Sequence, residues 1–562
     1  MPKRLAITMA GAVSLGSYEA GVLYEVLDAV KQHNSNSATA DADRIVIDVI
    51  TGASAGGMTA VILSQKLMYC AREFQGPYDN PLYNVWVKRI TLAGLQDTAN
   101  DEPALDSLFS SDLIEAISKE ELSARYDTTP IAAAERYSGV GDELRVGVAL
   151  TNLNGVGYGY PVEPSGKFVY IDYGDQMTRH IVASSCDTLD FWEPLRQAAV
   201  ACGAFPVAFR PQDLQRSAQG EPDDYPPANL EPWDRDPATF TYSDGGILQN
   251  QPLGIAKNLV DMVDGHMNQE TRFYLFVSPH AKDPSANDSF HAASADYLRL
   301  FQRLIAVVMG QSGFQDWITA KGVNQRIAIL DTRADDLKTA IQGGSINVAS
   351  LAITASSILD LFFKGGRHTP PGATQPETLA DAQKRIAAQY SAEMTSLGGT
   401  SGQALAFRDA VLAFETAAGL GARDYMTIYG VTADDSELAG AGLQAFLGFF
   451  DQRFRDHDYD VGRTHAQKVL TDPGLSQTNP SQPVPFGPLH YTPTPVNPID
   501  SRLDGLKLRD VPTADLQAFK AGLRKRLNEM LKEVWGPVFS LPAIPGSDLI
   551  LDALLNYMIA KS

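Results

Sequence analysis

A serine between two glycines, at the junction of a predicted strand and a predicted helix, is the first candidate for chemistry. The segment reads Gly52-Ala53-Ser54-Ala55-Gly56 and matches the pattern Gly-x-Ser-x-Gly. At such an elbow the hydroxyl is exposed, and the glycines relieve clashes between the strand and the helix. The pattern is common by chance, so its context is what predicts a nucleophile. The alternative is a turn with an idle serine.

The sequence around this serine alternates between strand and helix patterns. Four apolar runs predict buried strands, and two stretches with apolar residues at helical spacing predict helices. The strands are expected at residues 4–9, 45–50, 144–150 and 272–277, and the helices at residues 17–30 and 58–67. This alternation is typical of an α/β fold with a mainly parallel sheet.

A serine hydroxyl needs a base before it can attack, and that base is often a histidine. None of the nine histidines lies in an informative motif, although His280 follows a predicted strand. An acidic alternative is Asp244, followed by Gly245 and Gly246, which permit a tight turn and close backbone approach. Because Asp-Gly-Gly is usually only a turn, the residues alone leave the base open.

The loop at residues 11–16, between the first strand and the first helix, could aim backbone amides at a ligand. One use would be binding a nucleotide phosphate, and the other an oxyanion hole. The loop lacks both G-x-G-x-x-G and a Gly-Lys-Ser/Thr ending, which makes a nucleotide-binding α/β protein a remote alternative. The candidate donors are Gly11, Ala12, Val13, Ser14, Leu15 and Gly16.

The composition narrows the class of partner. With 67 acidic and 46 basic residues the net charge is −21, which argues against binding nucleic acid or anionic lipid surfaces. The three cysteines are far apart and lack metal-ligand spacing, as expected in a reducing compartment. The first residues are interpreted as a strand rather than a signal peptide, and no run of about 18 apolar residues occurs. We therefore expect a cytoplasmic protein, with or without peripheral membrane association.

The pattern changes along the chain and predicts two regions. Residues 1–284 are expected to form the α/β core, with a polar helical insertion at about 64–142 and a polar loop at about 210–240. Residues 285–562 are expected to be mostly helical and to act as a cap or an interface. Within them, residues 346–363 predict a buried or an interfacial helix, of which a buried helix is the more common.

Taken together, four segments in the same order resemble the patatin-like phospholipase family. They are residues 11–16 with Gly21-Val22-Leu23, residues 52–57, residues 198–209, and Asp244-Gly245-Gly246 with Asn250 and Pro252. The third is similar to the family's Ala-Ser-x-Ala-x-Pro-x-x-Phe segment. The resemblance covers roughly residues 4–280.

The resemblance implies a serine–aspartate dyad without a histidine, on a three-layer α/β/α core with a mainly parallel sheet. Ser54 would be the nucleophile, Asp244 the base, and residues 11–16 the oxyanion hole. The implied activity is that of a carboxylic-ester hydrolase, which cleaves fatty acyl esters at a membrane or micelle surface through an acyl-enzyme. No cofactor, metal or nucleic-acid partner is expected.

The sequence departs from the family pattern in two places. The family's loop usually reads Gly-Gly-Gly-x-Arg-Gly, whereas here only Gly11 and Gly16 hold their places and the arginine is missing. Cys202 stands within the third segment and is interpreted as a small buried residue rather than a second nucleophile. Two alternatives stay open: an acyltransferase with the same dyad, and a catalytically weak scaffold recruited to membranes.

Overall fold

The fold is that of a computed structural model of the chain. The structure describes residues 2–99, 101, 107–128, 131, 133–162, 166–219, 224–225, 229–264, 271–279, 315–368, 376–420, 426–441, 446–478, 484–506, 510–511 and 513–535.

This described part of the chain contains ten strands, eight of which form one mixed sheet. The strands are β1 (Lys3–Met9), β2 (Ile45–Gly52), β3 (Val140–Pro161), β4 (Lys167–Val182), β5 (Gln212–Arg216), β6 (Ala238–Asp244), β7 (Arg272–Ser278), the short pair β8 (Arg367–His368) and β9 (Glu377–Thr378), and β10 (Ile428–Thr432). The order across the large sheet is β10-β7-β1-β2-β3-β6-β5, β4 pairs with β3, and β8 pairs only with β9.

The strands from β10 to β3 run parallel, whereas β4, β5 and β6 join antiparallel. Met9, the last residue of β1, pairs with Gly52, the last residue of β2. Because parallel neighbours end at the same edge of a sheet, the loop after β1 and the elbow after β2 lie side by side. Leu150 of β3 pairs with Asp244 of β6, which brings the aspartate to the same region.

The helices of the described residues are of very different lengths. They are α1 (Gly16–Ser35), α2 (Ala55–Tyr69), α3 (Pro81–Tyr83), α4 (Leu92–Gln96), α5 (Ser111–Ser118), α6 (Ala124–Asp127), α7 (Leu189–Cys202), α8 (Leu253–Asp264), α9 (Gln315–Gln342), α10 (Val348–Phe362), α11 (Leu379–Gln389), α12 (Ser391–Ser396), α13 (Gly402–Ala417), α14 (Gln452–Leu470) and α15 (Thr513–Trp535). Single π-helical turns follow α3 and α5.

Helices cover both faces of the sheet. Successive residues of a strand point to opposite faces, and those of β1 pack against different helices. Leu5 and Ile7 of β1 pack in the main apolar cluster with α1, α2 and α7. Ala6 lies between them in sequence and packs in a second cluster with Leu259 of α8. The predicted α/β fold, with helices on both sides of a mainly parallel sheet and a helical C-terminal region, is confirmed.

Two glycines bring α1 and α14 into close backbone contact. A Cβ atom at Gly21 would overlap the carbonyl oxygen of Tyr459, and one at Gly462 would overlap that of Tyr18. A fully buried ion pair of 2.7 Å between Glu25 and Arg463 lies in the same interface. Residues beyond 284 therefore contribute helix α14 and the edge strand β10 to the core. The division at residue 284 stays a prediction.

The structure differs from the sequence-based expectation within residues 210–240, where a long loop was predicted. Here β5 pairs with β6, and only two of its side chains, Leu214 and Arg216, are buried. Arg216 is held by Asp224 at 3.0 Å. A strand that buries a charged residue lacks the apolar alternation on which the prediction depended.

The predicted helix at residues 346–363 is present as α10. Ala355 and Leu359 are buried against the other C-terminal helices, whereas Ile353 is 69% and Leu361 70% exposed. The favoured interpretation, a buried helix, therefore holds for one face only. None of the described helices combines the length and the apolarity that a bilayer crossing requires.

Candidate active site

Ser54 occupies a strained backbone conformation between β2 and α2. Its φ is 51° and its ψ is −125°, a region that costs a residue other than glycine about 1–3 kcal/mol. A Cβ atom at Gly52 would overlap the carbonyl oxygen of Gly56, and one at Gly56 would lie 2.5 Å from that of Ala10. The two glycines are thus the residues that allow this turn, and they explain the pattern seen in the sequence.

The hydroxyl of Ser54 donates a hydrogen bond to Asp244. The distance from Oγ to Oδ2 is 2.7 Å, and the two residues are only 7% and 2% exposed. The other carboxylate oxygen, Oδ1, accepts from the amide of Gly246 at 2.7 Å. The carbonyl of Asp244 accepts from the Thr151 hydroxyl at 2.8 Å. These bonds fix the carboxylate with one oxygen directed at the serine.

The two glycines after Asp244 allow the chain to turn tightly beside the sheet. A Cβ atom at Gly245 would overlap the carbonyl of Ala149 in β3, and one at Gly246 would lie 2.7 Å from Oδ1 of Asn250. The same Cβ atom at Gly246 would lie 3.4 Å from the Cβ atom of Ser54. The Asp-Gly-Gly turn is therefore packed directly against the elbow.

The loop at residues 11–16 lies next to Ser54, and its amides divide into two groups. Gly11 donates to the carbonyl of Asn250 at 3.0 Å and Leu15 to that of Ala12 at 2.9 Å. Gly16 donates within the short helical turn that precedes α1. In the part of the chain that the structure describes, the remaining three amides donate to no protein acceptor. These belong to Ala12, Val13 and Ser14.

Val13 is held in a conformation that favours glycine. Its φ is 47°, which is a clear outlier for a β-branched residue. The position corresponds to the third glycine of the resembled loop pattern. The backbone thus keeps the glycine-like shape, and Val13 is one of the residues that line the pocket in front of Ser54.

Residues from the C-terminal region pack over this loop. Leu15, which stands where the family has its arginine, is buried. It contacts Gly440 closely, since a Cβ atom there would lie 2.9 Å from the Leu15 side chain. The buried hydroxyl of Ser14 contacts Gly448 so closely that a Cβ atom there would overlap it. An apolar side chain in place of the arginine is thereby explained, because the site is covered by protein.

A narrow apolar pocket, open to solvent and with a cavity volume of about 40 Å³, lies in front of the serine. Apart from Ser54 and Asp244 it is lined by Val13, Ala55, Met58, Trp86, Ile90, Ile114, Gly203, Phe205, Phe209, Phe446 and Phe449. The ring of Phe446 is 5.5 Å from that of Phe205 and 6.1 Å from that of Phe209. Such a lining suits a hydrocarbon chain.

The described histidines make their contacts away from the dyad. His33 contacts Asp43 and His490, His180 contacts Glu143, His368 contacts Phe362 and Phe363, His457 contacts Asp458 and Asp504, and His465 contacts Tyr18 and Glu437. His266, His280 and His291 lie outside the described residues.

Cys202 is fully buried at the end of α7, with its thiol 3.7 Å from the Ser54 carbonyl. Burial, reinforced by the charge of Asp244, raises the pKa of this thiol well above its ordinary value. A thiol that stays protonated is a poor nucleophile. Its environment thus favours the interpretation of Cys202 as a packing residue.

Helices on both faces of a mainly parallel sheet, with a serine at a strand-to-helix elbow, define the α/β class in which many hydrolases are found. Within that class, residues 7–257 match the family model for patatin-like phospholipase, so this part of the chain is similar to that family. The resemblance inferred from the sequence is confirmed. At the level of the family, the match supports a lipid acyl hydrolase.

One similar protein is an uncharacterized protein, y4iI, from Sinorhizobium fredii. It is 26% identical over 320 residues, an alignment that covers 44% of this chain and 44% of the relative. The chain thus matches less than half of the length of this relative.

Several residues at the site carry no signal in the sequence. Phe446 and Phe449 lie far outside the matched domain, and no motif surrounds them. Trp86 belongs to a π-helical turn in the region that was predicted only as a helical insertion. Phe205 and Phe209 belong to the third resembled segment, which could have identified them as pocket residues.

Proposed function

We propose that the chain is a lipid acyl hydrolase in which Ser54 is the nucleophile and Asp244 the base. The observation that carries the proposal is the 2.7 Å hydrogen bond from a serine at a strained elbow to a buried aspartate. An apolar pocket opens directly in front of this pair.

In the first step Asp244 accepts the hydroxyl proton as Ser54 Oγ attacks the ester carbonyl. The amides of Ala12, Val13 and Ser14, which have no described protein acceptor, are the proposed donors to the oxyanion. The amide of Ala55, next after the nucleophile, is the other donor expected at an elbow of this kind. Asp244 then returns the proton to the leaving alkoxide, and the acyl group remains on Ser54.

In the second step a water molecule attacks the acyl-enzyme, and Asp244 takes one of its protons. The second tetrahedral intermediate collapses, the fatty acid leaves, and the proton passes from Asp244 to Ser54 Oγ. Aspartate is ordinarily a weak base with a pKa of about 3.9. Much of the acceleration is therefore expected from the fixed geometry and from the amides that hold the oxyanion.

The pocket supports a fatty acyl group as the part of the substrate that is recognised. Its walls are aliphatic and aromatic, and the polar side chains of the lining are those of the dyad. Each methylene buried there contributes about 0.8 kcal/mol to binding.

Replacing Val13 with glycine is expected to shift the preference toward longer acyl chains, because the isopropyl group occupies space beside Ser54. We expect the ratio of kcat/KM for a palmitoyl ester to that for a butyryl ester to rise about tenfold, as measured with nitrophenyl esters. Val207→Gly is a matched control, since Val207 also has a positive φ, of 69°, but lies outside the pocket lining. An equal shift in both variants would contradict the role of Val13.

The proposal is tested with the purified protein on a panel of phospholipids and neutral lipids, with products identified by mass spectrometry. We expect release of free fatty acid and a covalent fluorophosphonate adduct on the peptide that carries Ser54. Transfer of the acyl group to a lipid acceptor without release of fatty acid would favour an acyltransferase. Failure of the adduct to form would favour a catalytically weak scaffold.

A further inference from the structure

The distal part of the β3–β4 hairpin exposes apolar side chains in an unusual density. We call residues 156–161 of β3 and 167–173 of β4 the aromatic ribbon. Its six residue pairs run from Val156–Asp172 to Pro161–Lys167 and extend over about 20 Å. Large apolar residues within it are exposed to these extents: Tyr160 41%, Phe168 61%, Val169 50%, Tyr170 37%, Ile171 53% and Tyr173 47%.

Both faces of the aromatic ribbon carry exposed apolar side chains. On one face the ring of Tyr170 stacks at 5.7 Å on those of Tyr158 and Tyr160, with Phe168 beside them. On the other face Val169 and Ile171 lie opposite glycines of β3, beside the ion pair of Lys167 and Glu231. Contiguous exposed apolar surfaces of this kind mark interaction sites in most proteins.

The aromatic ribbon begins six residues after Leu150, the residue of β3 that pairs with the candidate base. Leu150 of β3 pairs with Asp244, and the irregular register of β3 starts after Thr151. A turn at Asn152, whose side chain accepts from the amides of Asn154 and Gly155, leads into the ribbon. The strand that positions the proposed base is thus continuous with the exposed surface.

The charge and residue types of the ribbon fit a neutral lipid interface. Lys167 is paired with Glu231, so the ribbon offers no free cation among its described residues. Tyrosine rings, apolar in body with a polar tip, prefer the boundary between headgroups and hydrocarbon. The net charge of −21 opposes attraction to anionic lipids.

A lipid surface accounts for the exposed faces better than an added strand from another chain. The edge of β3 in the ribbon is already covered, since Gly159 donates to the Asn229 carbonyl at 2.7 Å and the Glu231 amide donates to the Gly157 carbonyl at 2.9 Å. A strand docked on the other edge of the ribbon, that of β4, would cover backbone groups and leave the apolar side chains on both faces exposed. Contact with headgroups and upper acyl chains would cover both faces.

We propose that the aromatic ribbon is the element by which the protein adsorbs to a zwitterionic lipid surface, beside the site that cleaves the lipid. This inference rests on the proposed function for its choice of a lipid as the partner. The adsorption itself is measurable without catalysis.

The test uses flotation of the full chain with phosphatidylcholine vesicles. All proteins carry Ser54→Ala, so that no vesicle is hydrolysed. Phe168→Ser combined with Val169→Ser and Ile171→Ser is expected to lower the partition coefficient at least tenfold. The matched control is Ile353→Ser with Leu361→Ser on α10, whose side chains are at least as exposed but lie outside the ribbon. Equal binding by the ribbon variant and its parent, or equal loss in the control, would overturn the inference.

A second measurement gives a positive signal that misfolding cannot imitate. An environment-sensitive fluorophore is attached to Phe168→Cys and, for comparison, to Ile353→Cys; the three native cysteines are buried. With phosphatidylcholine vesicles we expect a blue shift of the emission for the label at 168 and none for the label at 353. The shift should not increase when phosphatidylglycerol is added to the vesicles. A shift only with anionic vesicles would overturn the inference.

Two further outcomes separate this inference from its alternatives. Sedimentation of the parent and the ribbon variant is expected to give the same mass; a dimer that the ribbon substitutions dissociate would assign the surface to a second copy and overturn the inference. Hydrolysis of a water-soluble ester by the protein with Ser54 intact tests the proposed function alone. If that hydrolysis is absent while vesicle binding through the ribbon persists, the proposed function fails and the adsorbing surface stands.

Discussion

Replacing Ser54 with alanine is expected to lower kcat/KM for a nitrophenyl ester by at least about 10⁴-fold, because the covalent route is lost. What remains is the contribution of the oxyanion amides and of substrate binding. The measurement is the initial rate of nitrophenol release, with the thermal midpoint as a check on the fold. We expect the midpoint to stay within a few degrees, since alanine differs from serine by one oxygen atom.

Ser64→Ala provides the control for this variant. Ser64 is also buried on α2, but its hydroxyl donates to the carbonyl of Ala60 within the helix. Its activity should stay within about twofold of the unaltered protein, because surface and helix-internal changes away from the site have small effects. If Ser54→Ala kept more than a tenth of the activity, another nucleophile would have to be found.

Asp244→Asn is expected to lower kcat/KM by at least about 10³-fold, the range for removal of a positioned general base. Asparagine keeps the shape of the carboxylate and can still accept from the Gly246 amide. It cannot take the proton from Ser54. The loss should therefore appear mainly in kcat, with KM for the same ester changed little, as steady-state kinetics would show.

Asp213→Asn is the matched control, because this exposed aspartate of β5 accepts only a surface hydrogen bond from Thr241 in the neighbouring strand. Its kinetics should not change. Near-normal turnover by Asp244→Asn would show that the dyad is wrong. The search for a base would then return to the histidines, beginning with His280, which follows β7 in the sequence.

The nucleophile could be predicted from the sequence because the elbow places demands on its neighbours. Only glycine fits where Gly52 and Gly56 approach other backbone atoms, so the strained turn leaves a readable pattern. The partner leaves no such pattern. Ser54 and Asp244 are 190 residues apart, and nothing local in Asp-Gly-Gly distinguishes a base from a turn. Only the resemblance supplied that pairing, and the catalytic roles of both residues stay predictions.

The strands and helices next to Ser54 were predicted because each buries its own apolar run. β5 and β10 were missed because they are short edge strands, and the burial of Arg216 in β5 depends on Asp224. The aromatic wall was also missed, since Phe446 reaches the pocket from outside the matched domain. The apolar residues of the loop give no sign that Val13 has a positive φ of 47°, because a β-branched residue disfavours that conformation.

The contact between α1 and α14 has a consequence for how the chain is made. The ion pair between Glu25 and Arg463 joins residues 438 positions apart. At a synthesis rate of about 5–20 residues per second, α1 waits on the order of 20–90 s on the ribosome before its partner is translated. During that interval the face of α1 around Gly21 has no α14 to cover it. A nascent chain of this protein is thus exposed to chaperones and to aggregation for longer than the length of residues 7–257 alone would suggest.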